Sequence, residues 1–454
     1  MINRASYFFL LLVLVAQESL AQPKHQLTIA YTGGQIYQKE NAFHASPSNN
    51  DSIKRKAKLK KTVETLFPIL VSAYIPIGAI ELGKYSEILS WNKIEGIRLK
   101  LGVRTTEKWN KKIQFHAYAA YGSSDKKWKY KAGFKTLLSS PKDQQATLSV
   151  SYQSDLRAIG QYGAQLSHDN IIHSILNDVP LNYLMQVCET LLNYEKHWLN
   201  GFYSSIGYHW QQFKSISNGL QFTQNEGKKN SSAFVTSAIR IKSRWKAKKH
   251  FEKKPTNPRK KILNASFPTL NFEYTIGIKG LLKGEYNYQH LDFSIQQQVT
   301  SFLGATQYQI KASKFFGAIP YPIMTVHLGN ESILDNPLAY ALVNEFEFVS
   351  DAYTSVWVNH HFNGLFFSKI PFVKRLNICS ILIFKGMYGV LSKQSSNLYD
   401  LPNEISAPNF YAEIGWGFEN ILKIVRIDFM WRLTHLTALN VRPFGLKISF
   451  APKF

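Results

Sequence analysis

Lys423-Ile424-Val425-Arg426-Ile427-Asp428-Phe429-Met430-Trp431-Arg432-Leu433-Thr434 alternates almost without fault. Val425, Ile427, Phe429, Trp431 and Leu433 fall at one parity. Ile424, Arg426, Asp428, Met430, Arg432 and Thr434 fall at the other. A period of two marks a β-strand, whose successive side chains leave on opposite faces. The last stretch repeats the pattern, with Phe444, Leu446, Ile448 and Phe450 set against Gly445, Lys447 and Ser449, and Phe454 keeps the apolar parity. An apolar face opposite one that carries ionised groups predicts a wall between lipid and a polar lumen. A strand of a soluble sandwich alternates too, so the number of such stretches decides.

They are many. Ile97, Leu99, Leu101 and Val103 alternate with Arg98, Lys100, Gly102 and Arg104. Similar runs cover 113–121, 128–135 and 146–153, separated by short polar turns, as hairpins of an antiparallel meander require. Further strands are predicted near 197–212, 233–241, 270–279, 284–298, 305–315, 321–328, 344–350, 352–362, 375–390, 410–419, 423–433 and 443–454. The fold class is therefore all-β, a single antiparallel transmembrane barrel of roughly 14–18 strands. One interruption is expected. Pro180 follows Asp178, and Leu181, Leu184, Cys188, Leu191 and Leu192 recur at helical spacing, which predicts an amphipathic helix over 180–193 that packs on or plugs the barrel mouth. The basic, proline-containing stretch Arg240 to Lys261 reads as a loop.

The chain begins with a secretory signal: Arg4, an apolar core from Tyr7 to Ala16, and cleavage after Ala21 at Ser19-Leu20-Ala21. The apolar core is too short to span a bilayer as a helix. Residues 1–21 are read as signal, 22–61 as a basic polar leader ending in Lys54-Arg55-Lys56, and 62–454 as the barrel. Mean hydropathy is −0.20 although 14% of residues are aromatic, which excludes a helical membrane protein and allows a barrel whose apolar content is hidden in alternation. The formal charge is +24, and loss of Arg4 with Glu18 leaves it unchanged. An exported protein of this charge is expected to meet anionic lipid or surface polysaccharide, or to line a pore with it, rather than to bind nucleic acid. Cys188 and Cys379 form no disulfide framework and are read as unpaired and buried.

Several segments resemble one family. They are Trp91-Asn92-Lys93-Ile94-Glu95-Gly96-Ile97-Arg98-Leu99, Ala120-Tyr121-Gly122-Ser123-Ser124-Asp125-Lys126-Lys127-Trp128-Lys129-Tyr130 and Ile319-Pro320-Tyr321-Pro322. Glu347-Phe348-Val349-Ser350-Asp351, His360-His361-Phe362-Asn363-Gly364, Ile370-Pro371, Gly417-Phe418-Glu419-Asn420 and Arg426-Ile427-Asp428 complete the set. The chain resembles exported Bacteroidetes proteins of unknown function usually named for a carboxypeptidase-regulatory-like domain at their amino-terminus. The resemblance runs from about residue 63 to 454 and implies an outer-membrane β-barrel. It departs from the family in having only the 22–61 leader ahead of the barrel half, as a short or split member would.

No enzyme signature stands out, and no cofactor or metal site is expected. His360 and His361 are strand neighbours and face opposite ways, so they cannot share a metal. Glu345 and Glu347 share a face and read as counter-charges to lumenal bases. No nucleophile elbow or phosphate loop is present. Candidate residues are instead structural. A lumenal charge ladder is expected from Arg426, Asp428 and Arg432 with Glu413 and Glu419 on the preceding strand. A basic lumen face is expected from Arg98, Lys100, Arg104, Lys112, Lys129, Lys131 and Lys135. Phe454 reads as an assembly signal for the barrel-assembly machinery. Outer-membrane lipid, including lipopolysaccharide, is the other expected partner. The functional reading is a structural or assembly-related barrel with a partly filled lumen; an anion-preferring pore or transporter is the alternative, and an outer-membrane hydrolase the third.

Overall fold

The computed structural model describes residues 74–450 except 140–143, 159–183, 217–221, 225–228, 232, 247–263, 266, 368–375, 393–404, 423 and 438–439. Signal, leader and Phe454 lie outside the described residues. The strands are β1 (Ile75–Ile77), β2 (Ile80–Leu82), β3 (Leu89–Asn92), β4 (Gly96–Thr105), β5 (Ile113–Gly122), β6 (Trp128–Ser139), β7 (Ala146–Ala158), β8 (Leu184–His197) and β9 (Phe202–Ser215). There follow β10 (Phe222–Gln224), β11 (Lys229–Ser231), β12 (Ala233–Lys246), β13 (Asn264–Ala265), β14 (Thr269–Gly277), β15 (Tyr288–Ser301) and β16 (Gly304–Phe316). The chain continues through β17 (Thr325–Val326), β18 (Val349–Ser350), β19 (Ala352–His361), β20 (Cys379–Val390), β21 (Asn409–Ile421), β22 (Val425–Arg432) and β23 (Phe444–Phe450). The other named elements are short 3₁₀ turns, and no described helix is long and apolar enough to cross a membrane.

Nineteen of these segments form one sheet. Its long strands pair antiparallel with their neighbours in the chain, apart from three steps, of which β12–β14 passes over the two-residue β13. Between β9 and β12 stands the small β10–β11 hairpin, and between β16 and β19 stands residues 317–351, which hold β17 and β18. The connections β7–β8, β9–β12, β16–β19, β20–β21 and β22–β23 share one end, here the long end. The opposite, short-turn end carries β4–β5, β6–β7, β8–β9, β15–β16 and β21–β22, as well as the longer β12–β14 and β19–β20 connections.

Alternation fixes what each face carries. The outer face shows Ile97, Leu99, Phe115, Tyr130, Ile206, Phe272, Phe293 and Trp431 to the surroundings, with Leu101 at 70% and Trp128 at 65% exposure. The inner face buries ionised groups: Arg98 is 2% exposed, Glu413 0% and Asp428 2%. Polarity is thus inverted relative to a protein folded in water.

Five expectations are corrected. Residues 184–193 are strand, not helix: β8 pairs with β7 from Leu184 to Lys196 and with β9 from Met185 to His197. Two continuous ladders outweigh helical spacing that arose because Leu184, Met185 and Val187 are all apolar where they join a hydrophobic cap. Residues 321–328 and 344–350 are not wall strands. They belong to the inserted connection, where β17 and β18 pair with each other and Leu334 and Phe348 make single bridges to Ile448 and Ser406. Arg240 to Lys246 belong to β12 rather than to a loop. The expected closed barrel is, among the described residues, a sheet with two margins, because no pairing joins β23 to β1, β2 or β3. The amino-terminal margin is broken: β2 and β3 lie against different parts of β4, and β1 pairs with β2. At β23 the edge of Ile448 is already taken: its N–H donates to the Ile333 carbonyl (2.8 Å) and its carbonyl accepts from the Asp335 N–H (2.8 Å). Cys188 and Cys379 are free, as expected, but half-buried rather than buried.

Candidate functional site

Period two brings one set of side chains from each strand into the space enclosed by the sheet, and two different systems meet there. Along β3 to β15 it is lined by a charge network. Arg98 Nη1 donates to Glu95 (2.9 Å) and to Asp155 (2.8 Å), and Nη2 donates to Asp155 (2.9 Å). Lys129 Nζ meets Glu95 at 2.6 Å and Asp125 at 2.5 Å. Lys100 pairs with Glu87 at 2.9 Å and lies over the Tyr118 ring. Further round, Glu189 takes Arg157, His209 and Gln153 (2.7 Å from Gln153). Arg240 donates to His209 Nδ1 (3.1 Å) and pairs with Glu273 (3.1 Å), which also holds Lys242 (3.0 Å). Charges buried this deeply persist only when paired and hydrogen-bonded, and nearly every one here is.

The second system is the inserted connection, residues 317–351. Its first part, Ile319 to Val326, packs with Leu184, Met185, Phe213, Phe234, Tyr288 and Phe315 at the long ends of the strands. This makes an apolar cap over the charged interior. Its second part runs down the inner face of β20 to β23, and each of those strands contributes one charged group to it. Lys385 Nζ donates to the Ala339 carbonyl (2.6 Å). Glu413 accepts from the N–H groups of Ala341 (2.7 Å) and Leu342 (3.0 Å). Arg432 donates to the Leu342 carbonyl (3.0 Å) and pairs with Glu347 (2.5 Å). Lys447 Nζ donates to the carbonyls of Asn330 (2.7 Å) and Ser332 (2.5 Å). A chain without regular secondary structure can enter an enclosed space only if its backbone polar groups find partners, and these four ionised side chains supply them.

The residues expected to form a charge ladder across β21 and β22 find other partners. Arg426, Asp428, Arg432, Glu413 and Glu419 all face inward. Arg426 and Asp428 pair within β22 at 2.9 Å, and Glu419 pairs with His361 at 3.0 Å. Glu413 and Arg432 stand opposite each other in register, yet both serve the insert. The counter-charge reading holds for Glu347, though it lies in the insert and not on a wall strand. Of the expected basic face, Arg98, Lys100, Lys129 and Lys131 line the interior. Arg104 pairs with Glu81 near the short-turn end, and Lys135 with Glu195 at 3.5 Å. Lys112 does not belong to this face. It precedes β5 and is exposed on the β4–β5 turn. Lys131 and Lys311 make no direct ion pair with a described residue, although Glu189 and Asp155 act on Lys131 and Asp292 on Lys311 across longer distances. Among the described residues no group of three His, Cys, Asp or Glu side chains is arranged to hold a metal.

The insert was missed by sequence reading although it left a signal. Between Phe316 and Ala352 alternation fails, prolines stand at 320, 322 and 337, and Ala339-Tyr340-Ala341-Leu342-Val343 is apolar at both parities. An unbroken apolar run buried on all sides is what an insert needs and a lipid-facing strand does not.

The family described as "Family of unknown function (DUF5686) C-terminal domain" matches residues 79–399, and the chain belongs to it. No curated protein matches. Among solved structures, BamA from Haemophilus ducreyi lacking POTRA domains 1–3 is similar with a TM-score of 0.47 at 9% identity, covering 82% of this chain and 70% of that one. CdiB from Acinetobacter baumannii gives 0.38 at 11% identity, covering 80% and 58%. CdiB from Escherichia coli gives 0.43 at 9% identity, covering 83% and 62%. The chain spans less than two thirds of either CdiB chain.

Proposed function

We propose that this member of the DUF5686 C-terminal family is an outer-membrane β-barrel whose lumen is occupied by residues 317–351, serving a structural or assembly-related role and not an enzymatic one. The observation that carries the reading is the inverted polarity: a continuous apolar exterior over a core of paired ions. In water an exterior of this kind would drive aggregation, whereas in a bilayer it is the matching surface. A sheet in lipid must also satisfy its margins, which favours a barrel drawn closed at β1–β3 and β23. On this reading the signal is cleaved after Ala21, the mature chain resides in the cell outer membrane, and its partners are outer-membrane lipid and the barrel-assembly machinery. Phe454 would be the feature that machinery grips. The naming for a carboxypeptidase-regulatory-like domain belongs to this proposal as well, and so does placement among Bacteroidetes proteins.

The alternative is an anion-preferring pore, which Lys131 and Lys311 favour because neither makes a direct ion pair with a described residue. Single-channel conductance of the reconstituted chain separates the two. The filled-lumen reading expects no steady conductance from the intact chain and a conducting channel once residues 327–348 are replaced by a short glycine-serine bridge. Steady anion current through the intact chain that reverses preference in Lys131→Glu would establish the pore instead.

A further inference from the structure

The short-turn end carries a feature that neither the lumen nor its insert uses. The β4–β5 turn presents Lys108, Lys111 and Lys112, all exposed, around Trp109, which is 49% exposed and packs edge-on against Phe115 at 5.4 Å. Four strands along, the β8–β9 turn holds Lys196 Nζ 3.8 Å from the centre of the Trp198 ring, and the Trp198 indole N–H donates to Ser204 Oγ (2.7 Å). Next to it β12 ends in Trp245, 43% exposed, and exposed Lys246. The tight β15–β16 turn is apolar at its tip, with Phe302 82% exposed. Lys108, Lys111, Lys112 and Lys246 make no ion pair with a described residue, and Glu107 is the only acid within the β4–β5 turn.

Tryptophan, with an apolar body and a polar N–H, settles at the boundary between acyl chains and headgroups. Ammonium groups at the same level, unpaired and on flexible stems, seek negative charge in the headgroup layer. A protein or nucleic-acid partner would not account for apolar turn tips spread around a rim of separate hairpins; a planar lipid surface does. In barrels the short turns face the periplasm, where the leaflet is phospholipid. Resting on the outer-membrane reading above, we propose that this basic and aromatic rim binds anionic phospholipid headgroups of the leaflet at the short-turn end, and so sets the depth and tilt of the barrel.

The full chain is reconstituted into phosphatidylcholine vesicles containing a trace of spin-labelled phosphatidylglycerol or, in parallel, spin-labelled phosphatidylcholine. The motionally restricted fraction gives the relative association of the two lipids. The wild type is expected to prefer phosphatidylglycerol in low salt, by about fivefold for each lysine at its own contact, and to lose the preference in molar salt. Lys108→Gln/Lys111→Gln/Lys112→Gln/Lys246→Gln should bring the two lipids to parity, and the corresponding arginine variant should restore the difference. Lys279→Gln/Lys283→Gln, at the long end, should leave it unchanged. Equal association in the wild type, or a preference untouched by the four glutamines, would overturn the proposal, as would stronger association with lipid A than with phosphatidylglycerol. A chain that enters neither vesicle would instead sink the membrane reading on which the proposal rests.

Discussion

Replacing Glu413 by alanine isolates the force that holds the insert in the lumen. The carboxylate is fully buried. It accepts the Ala341 and Leu342 N–H groups at 2.7 and 3.0 Å and the Tyr411 hydroxyl at 2.8 Å, with Lys385 Nζ at 3.9 Å. Alanine leaves two backbone donors without their acceptor and a buried lysine without its nearest carboxylate. A hydrogen bond to a charged group contributes about 1.5–3 kcal/mol, and stranding one partner of a buried ion pair costs about 3–5 kcal/mol. The losses share one site and overlap, so a total of about 5 kcal/mol against the inserted state is the expectation. Glu413→Gln keeps one acceptor oxygen but turns an amide N–H toward backbone donors, and should recover less than half. The assay is limited proteolysis of the folded protein in detergent, which reads the free energy of local release from cleavage within 327–348, combined with denaturant unfolding of the whole barrel. The result that would refute the reasoning is cleavage within tenfold of the wild-type rate in Glu413→Ala. An equal loss of barrel stability in a chain already lacking residues 327–348 would also refute it, because the carboxylate would then be acting on the wall and not on the insert.

Asp428→Ala should destabilise the barrel by about 3 kcal/mol by stranding Arg426, while leaving protease access to the insert unchanged because Arg432 answers to Glu347; a double variant with Arg426→Leu should recover much of the loss in denaturant unfolding. His327, in the inserted connection and outside the membrane-crossing strands, donates or accepts a hydrogen bond with Ser350 Oγ at 2.6 Å, and burial, reinforced by the Lys311 charge, pushes its ring down to about 3 from the ordinary 6.5. The released segment takes up a proton below 6.5 and the inserted one does not until about 3, so insertion is at full strength above 6.5 and weakens by about 1.4 kcal/mol for each pH unit below it. Protease access to 327–348 should therefore rise steeply between pH 7 and pH 5, and a flat profile, or one unchanged in His327→Gln, would count against this. Deleting Phe454 should lower the amount of folded barrel in cells with little change in the unfolding of what does fold; normal membrane levels would leave it a girdle residue.

The strands were legible where one face is apolar and exposed and the other carries charge, because that contrast writes a period of two directly into the residues. Val425 to Leu433 and Ile97 to Val103 are the clearest cases. The reading failed where both faces of a strand are apolar. At the start of β8, Leu184, Met185 and Val187 line a cap and the walls together, so period two disappears and helical spacing emerges by coincidence. It failed again in 317–351, whose fold comes from Lys385, Glu413, Arg432 and Lys447, residues 68 to 130 positions downstream of its first residue, 317. Inward orientation of the ladder residues was readable from parity. Their partners were not, since register across β21–β22 suggests a Glu413–Arg432 pair that the insert intercepts.

On the outer-membrane reading, apolar side chains of the wall face lipid and charged ones face an enclosed interior. Single cysteines placed in turn at positions 97 to 104, with Cys188 and Cys379 replaced by serine, carry an environment-sensitive fluorophore in vesicles with brominated acyl chains. The account predicts strong quenching at 97, 99, 101 and 103, weak quenching at 98, 100, 102 and 104, and the reverse alternation for a water-soluble quencher. Uniform access of the water-soluble quencher to both parities would contradict it.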